Sequence, residues 1–81
     1  MEKGTLHLMN DDFNNHLDVQ NAVVIVCGFE MKDAEAVTII THMQGSCPVW
    51  EADITELEVM KEKFGEFGIN TQITEVDGEP L

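Results

Sequence analysis

The chain has 81 residues, room for one domain with a single thin core and no second domain. Sixteen acidic residues stand against four lysines and no arginine, for a formal net charge of -12. That balance excludes a nucleic-acid backbone and an anionic membrane surface as partners, because both need a basic patch. It also removes any bidentate arginine clamp for phosphate or carboxylate, and it favours positively charged partners such as basic segments and free peptide amines.

A hydrophobic fraction of 43% is enough to fold. The longest apolar run, Ala22 to Cys27, falls far short of the roughly 20 residues that span a bilayer. Met1 to Thr5 carries no basic-then-apolar signal pattern. Cys27 and Cys47 match no zinc or redox spacing. The expected setting is the cytoplasm, with both thiols free.

Thr5 to Met9 alternates Leu6 and Leu8 against His7 and Met9, the pattern of a half-buried strand. Asn10, Asp11 and Asp12 end it. Asn14 and Asn15 continue a polar turn, in which either asparagine suits a helix N-cap. The next stretch reads two ways. Val19, Ala22, Val23, Val26 and Cys27 follow helical spacing, with Gly28 where a helix would stop. Val23 to Val26 is also a β-branched run that suits a buried strand.

Asp33 to Met43 reads as a helix with Ala36, Ile39, Ile40 and Met43 on one apolar face. Its early Asp33 and Glu35 suit the helix dipole. Val49 and Trp50, after Pro48, suit a short strand. Ala52 to Glu66 reads as another helix, with Ile54, Leu57, Met60 or Lys61, and Phe64 as its inner stripe and Gly65 and Gly68 at its end. Thr71 to Val76 alternates as the last strand, and a turn-like tail follows. The order predicts a small α+β sandwich over residues 5–76, with short tails at 1–4 and 77–81. Met31, Met43 and Met60 read as packing residues. His7 and His16 read as surface or rim residues, and Glu56, Glu58 and Glu62 as a solvated helix face.

One ordered set of features resembles a known family. Leu6-His7-Leu8-Met9 runs into Asn10-Asp11-Asp12 and an aromatic residue, Phe13. His42 precedes a glycine turn at Gly45, Val49-Trp50 follows, and Asp53 and Glu56 open the next helix. This is similar to the ClpS family, the small adaptors of Clp proteases, over about residues 5–76. The resemblance implies that His16 to Cys27 is a helix. It further implies a three-stranded antiparallel sheet packed against three helices.

The resemblance also implies a function: a non-enzymatic adaptor with no cofactor and no metal. Such adaptors bind the first residue of proteins with a destabilising N-terminus, usually Leu, Phe, Tyr or Trp. They pass those proteins to a AAA+ unfoldase of the ClpA or ClpC class. Side chains at the family's amine-binding positions are Asn10, Asp11, Asp12 and His42. An α-amino group, with a pKa of about 8, offers three donors and needs acceptors once desolvated. In this scheme Asn10 and neutral His42 accept, Asp12 supplies the countercharge, and Asp11 adds field or caps the turn. The family's side-chain pocket maps to His16, Val19, Thr38, Thr41 and Ile73. His16 and Thr38 stand where methionine is usual, which makes the wall more polar. On the unfoldase-docking helix the acidic position is kept as Asp53, whereas a customary lysine is Glu58, a charge reversal.

Two other readings stand beside this one. The same fold could dock a AAA+ or other partner without reading N-termini. A small enzyme or metal protein is the third, and it lacks support: there is no nucleophile-base spacing, no phosphate loop, and no histidine pair at i, i+4.

Overall fold

The computed structural model describes residues 2–11 and 13–75. The chain runs β1 (Lys3–Met9), α1 (His16–Cys27), α2 (Met31–Gln44), β2 (Ser46–Asp53), α3 (Ile54–Glu66) and β3 (Thr71–Glu75). The strands form one antiparallel sheet in the order β2-β1-β3, and three helices pack with it. This is the expected α+β class. Val76 and the tail at 77–81 lie outside the described residues, as does Asp12.

β1 starts at Lys3, two residues before the alternation begins. Lys3 and Gly4 pair with Asp53 and Ala52 of β2. Glycine gives no strand signal in sequence, yet the position demands it. A Cβ on Gly4 would strike the Ile54 side chain and the Thr74 carbonyl oxygen. The absent side chain lets α3 and β3 close on β1.

β2 is longer than the Val49-Trp50 pair suggests. Its register against β1 steps so that Leu6 faces Trp50 while His7 faces Pro48. Val49 is thus the extra residue of a bulge. Pro48 is tolerated because β2 is an edge strand, where a missing N–H breaks no ladder on its outer side. The extension of β2 to Asp53 moves the start of α3 from the expected Ala52 to Ile54.

The ambiguous segment is a helix. Asn15 caps α1, its side-chain oxygen accepting from the Asp18 N–H at 2.8 Å. Gly28 ends it at φ 75°, the left-handed conformation glycine adopts without strain. The β-branched run is only partly enclosed: Val23 is fully buried, whereas Ile25 is 65% exposed.

α2 corrects an expectation. Its buried residues are Ala34, Thr38 and Thr41, with Val37 packed beside them. The Ala36, Ile39, Ile40 and Met43 stripe is exposed. Helical spacing identifies a face but not its direction. The inner face of α2 carries threonines because each hydroxyl donates within the helix, Thr38 to Ala34 O and Thr41 to Val37 O, both at 2.7 Å. A threonine with its donor satisfied can be buried at little cost. Met31 and Met43 are likewise exposed, and of the three methionines read as packing residues only Met60 is buried.

The core gathers Leu6 and Leu8 of β1, Val23 of α1, Leu57 and Phe64 of α3, and Ile73 of β3. The α3 stripe is as expected, with Met60 inside and not Lys61. Lys61 is exposed and its ammonium donates to the Thr71 carbonyl at 2.5 Å, joining α3 to β3. Trp50 is half-buried against this core, and its indole N–H donates to the Glu56 carboxylate at 3.2 Å. Glu56 is therefore more than a solvated residue. No helix among the described residues is long and apolar enough to cross a membrane.

Candidate functional site

The end of β1 and the end of α2 are tied together. The Asn10 N–H donates to the Gly45 carbonyl at 2.9 Å, and the Gly45 N–H donates to Thr41 O at 2.8 Å. Gly45 ends α2 at φ 92°. This places Asn10 beside the last turn of α2, which carries His42. From Asn10 the chain passes through a polar turn to His16, the first residue of α1.

That turn is clasped by Asp11. Its carboxylate accepts from the backbone N–H groups of Phe13 and Asn14, each at 2.9 Å. The Asn14 amide donates to the same carboxylate at 3.0 Å and to the Gly68 carbonyl at 2.9 Å, fixing the turn to the loop after α3. Partial desolvation pushes the Asp11 carboxyl up. The hydrogen bonds from the Asn14 backbone, the Asn14 side chain and the Phe13 backbone outweigh it, so the net shift is downward.

The clasp predicts a pH dependence. A depressed carboxyl contributes stability that is present above the ordinary aspartate range and lost as pH falls through its folded-state value. Asp11→Ala is expected to destabilise the domain at pH 6, and the difference from the parent chain should shrink toward pH 2.5. Urea denaturation at the two pH values measures this, and an undiminished difference at pH 2.5 would contradict it.

A cavity of about 240 Å³ opens between the turn, α1 and α2. Asn10, Asp11 and His42 of the expected amine-binding set line it, as do His16, Val19, Thr38 and Thr41 of the expected side-chain pocket. Asp12 lies outside the described residues. Ile73 does not line the cavity. It faces Leu6 across the sheet and sits in the core, because the alternation of β3 turns Thr71 and Ile73 inward together.

Met9 and Asn14 also line the cavity, beyond the residues the motif points to. Met9 is the last residue of β1 on the side away from Leu8, so alternation alone puts it on the outer face. Asn14 reads in sequence only as a turn residue or cap. Its long-range bond to Gly68 has no sequence signal.

The polarity of the wall differs from what its residue types suggest. Both threonine hydroxyl protons are spent inside α2, so the two oxygens remain as acceptors only. The His16 and His42 rings meet edge to face, 4.7 Å between centroids at 68°. The wall is thus an aromatic pair, a valine and two threonines with no free donor.

Asp53 and Glu58 lie elsewhere. Asp53 closes β2 and precedes α3, and Glu58 is exposed on α3. Neither lines the cavity. His7 bonds through Nε2 to the Thr74 hydroxyl at 2.9 Å and is separate from the other two histidines. No group of three histidine, cysteine, aspartate or glutamate side chains suited to a metal occurs among the described residues. Both cysteines are free and buried. Burial pushes the Cys27 thiol up to about 11 and raises Cys47 as well, so neither is an activated nucleophile.

Sheet order and helix placement define a small α+β domain with a cavity at the β1–α1 turn. The family model described as "ATP-dependent Clp protease adaptor protein ClpS" matches residues 3–73. The chain belongs to the ClpS family, whose members are Clp protease adaptors and not enzymes. Among solved structures it is similar to Agrobacterium tumefaciens ClpS2 bound to L-phenylalaninamide. The TM-score is 0.88 at 16% identity, covering 91% of this chain and 96% of that one. No curated protein matches the sequence.

Proposed function

We propose that this chain captures the free α-amino group and first side chain of substrate proteins and delivers them to a Clp-type AAA+ unfoldase in the cytoplasm. One observation carries the reading. Asn10 from the end of β1 and His42 from the end of α2 line the same cavity, joined by the Asn10–Gly45 hydrogen bond. Two acceptors at the cavity's edge suit an ammonium group. In this reading Asp12 provides the countercharge, and Asp11 holds the turn that presents it.

The cavity's volume of about 240 Å³ exceeds the roughly 150 Å³ of an apolar cavity that takes up benzene. A large first side chain fits that scale. The ligand of the similar Agrobacterium protein, L-phenylalaninamide, pairs a free α-amine with an aromatic ring, which supports the same ligand class here. The sequence motif supplies His16, Val19, Thr38 and Thr41 as the pocket wall, without Ile73. Delivery runs through Asp53 and Glu58 on the α3 side, away from the cavity. The reversed charge at Glu58 favours an unfoldase domain of the ClpA or ClpC class with a basic surface there.

The test is titration of the chain with short peptides that differ only at the amine. A free amine should bind, and the acetylated peptide should not. Asp12→Ala should weaken binding more than tenfold, consistent with a charge-assisted bond of about 1.5–3 kcal/mol. Equal affinity for acetylated and free peptides would refute the proposal and would leave a domain that docks partners without reading N-termini.

A further inference from the structure

The cavity holds a feature that the amine site itself does not require. A second imidazole, His16, stands on the wall in edge-to-face contact with His42, their centroids 4.7 Å apart. The two come from different helices: His16 opens α1, and His42 lies in the last turn of α2. Both rings line the cavity. Neither has a hydrogen bond to a described protein side chain or backbone group, so the ring contact is what each makes with the other helix.

Resting on the reading above, we infer that His16 is the positioning residue for His42. Its ring sets the plane of the His42 imidazole at the cavity and links capture of a peptide amine to the charge state of two imidazoles instead of one. Two consequences follow. First, an accepting nitrogen must point at the amine, and a lone exposed imidazole turns freely about its terminal torsion. An edge-to-face neighbour restricts that torsion. Second, a proton on His42 removes its acceptor. A proton on His16 places a like charge within a few ångströms of both His42 and the incoming ammonium. Each imidazole that must be neutral for binding contributes up to tenfold per pH unit below its titration.

The charged residues on the elements that carry the pair are mainly carboxylates. Asp11 lines the same cavity, with Asp12 next in sequence. Asp18 follows His16 by two residues in α1, and Asp33 and Glu35 precede His42 in α2. Carboxyls as a class titrate below the histidine window, so a steep dependence between pH 7 and 5 reports the imidazoles. Lys32, on the outer side of α2, faces Glu30 at 3.7 Å and not the pair.

The experiment measures affinity for one free-amine peptide with an aromatic first residue from pH 8 to 5, in the parent chain, His16→Phe and His16→Ala. His16→Phe keeps a ring edge and cannot titrate. Its affinity at pH 8 reports the altered wall, and from that starting point it should fall by no more than tenfold per pH unit. The parent should fall more steeply, by more than tenfold per unit over the acid end of the range, because two coupled imidazoles must both stay neutral. His16→Ala should bind about two- to tenfold more weakly than the parent at pH 8, because His42 loses its ring neighbour. Parallel profiles for parent and His16→Phe would overturn the linkage, and full affinity of His16→Ala at pH 8 would overturn the positioning. Absence of any amine-dependent binding by the parent at pH 8 would instead refute the amine-capture reading, and this inference with it.

Discussion

Phe64→Ala is expected to remove about 3–5 kcal/mol of stability, the range for truncating a buried phenylalanine. Phe64 is fully buried, among the largest side chains that are. It projects from the last turns of α3 into the cluster that holds Leu6, Leu8, Leu57 and Ile73. Its carbonyl accepts from the Phe67 and Ile69 N–H groups at 3.0 Å each, and alanine keeps those bonds. The loss is therefore one of packing and not of capping. An 81-residue domain holds on the order of 4–12 kcal/mol in total, so at least a quarter of the margin is at stake. Urea denaturation with an unchanged slope is the measurement. Phe67→Ala, three residues on and 47% exposed, is the matched control and should cost far less. A loss below about 1 kcal/mol at Phe64 would contradict its place in the core.

The parts of the fold that sequence reveals are those where polarity and direction coincide. In β1, Leu6 and Leu8 alternate with half-buried residues, and the sheet has one core side, so alternation also gives orientation. In α3 the stripe Leu57, Met60 and Phe64 faces a continuous core. α2 breaks the rule. Its most apolar face looks outward, and its inner face is made of alanine, valine and threonines whose hydroxyls bond within the helix. No periodicity measure reports that satisfaction, because it is a hydrogen-bonding property and not a hydropathy one. α1 is ambiguous by pattern, since β-branched residues at helical spacing suit both elements. The ClpS resemblance implies the helix that the structure shows.

The candidate site divides along the same line. Residues tied to a motif, such as Asn10, His42, His16 and Val19, come together in one cavity. Asn14 reads in sequence only as a turn or cap residue, because its bond to Gly68 spans 54 residues of chain. The ClpS resemblance puts Ile73 on the pocket wall, whereas β3 turns it to the core beside Leu6. Parity depends on where pairing begins, and a sequence does not state that.

Gly4→Val is expected to cost about 3 kcal/mol or more. The added side chain would meet the Ile54 methyl, which can move, and the Thr74 carbonyl, which belongs to the β3 backbone and cannot move without breaking the ladder. Overpacking of this kind costs about 1–3 kcal/mol even where side chains can adjust. Gly4 pairs with Ala52 on one side and Glu75 on the other, and the adjoining Glu2 carbonyl accepts from the Ile54 N–H at 3.0 Å. A displaced Gly4 thus loosens β2, β3 and the start of α3 together. Gly65→Ala in α3 supplies the contrast. Outside its chain neighbours and the helix's own backbone nothing lies within 4 Å of its added Cβ, so relief of glycine's helix penalty should stabilise by about 0.5–1 kcal/mol. Thermal or urea unfolding of both variants reads the difference in sign. β1 also carries Asn10 just past its end, so a register shift at Gly4 would misplace the proposed amine acceptor relative to His42. A Gly4→Val chain that folds with parent stability would show that α3 can retreat from β1, which the packing of Ile54 and Leu57 on Gly4 argues against.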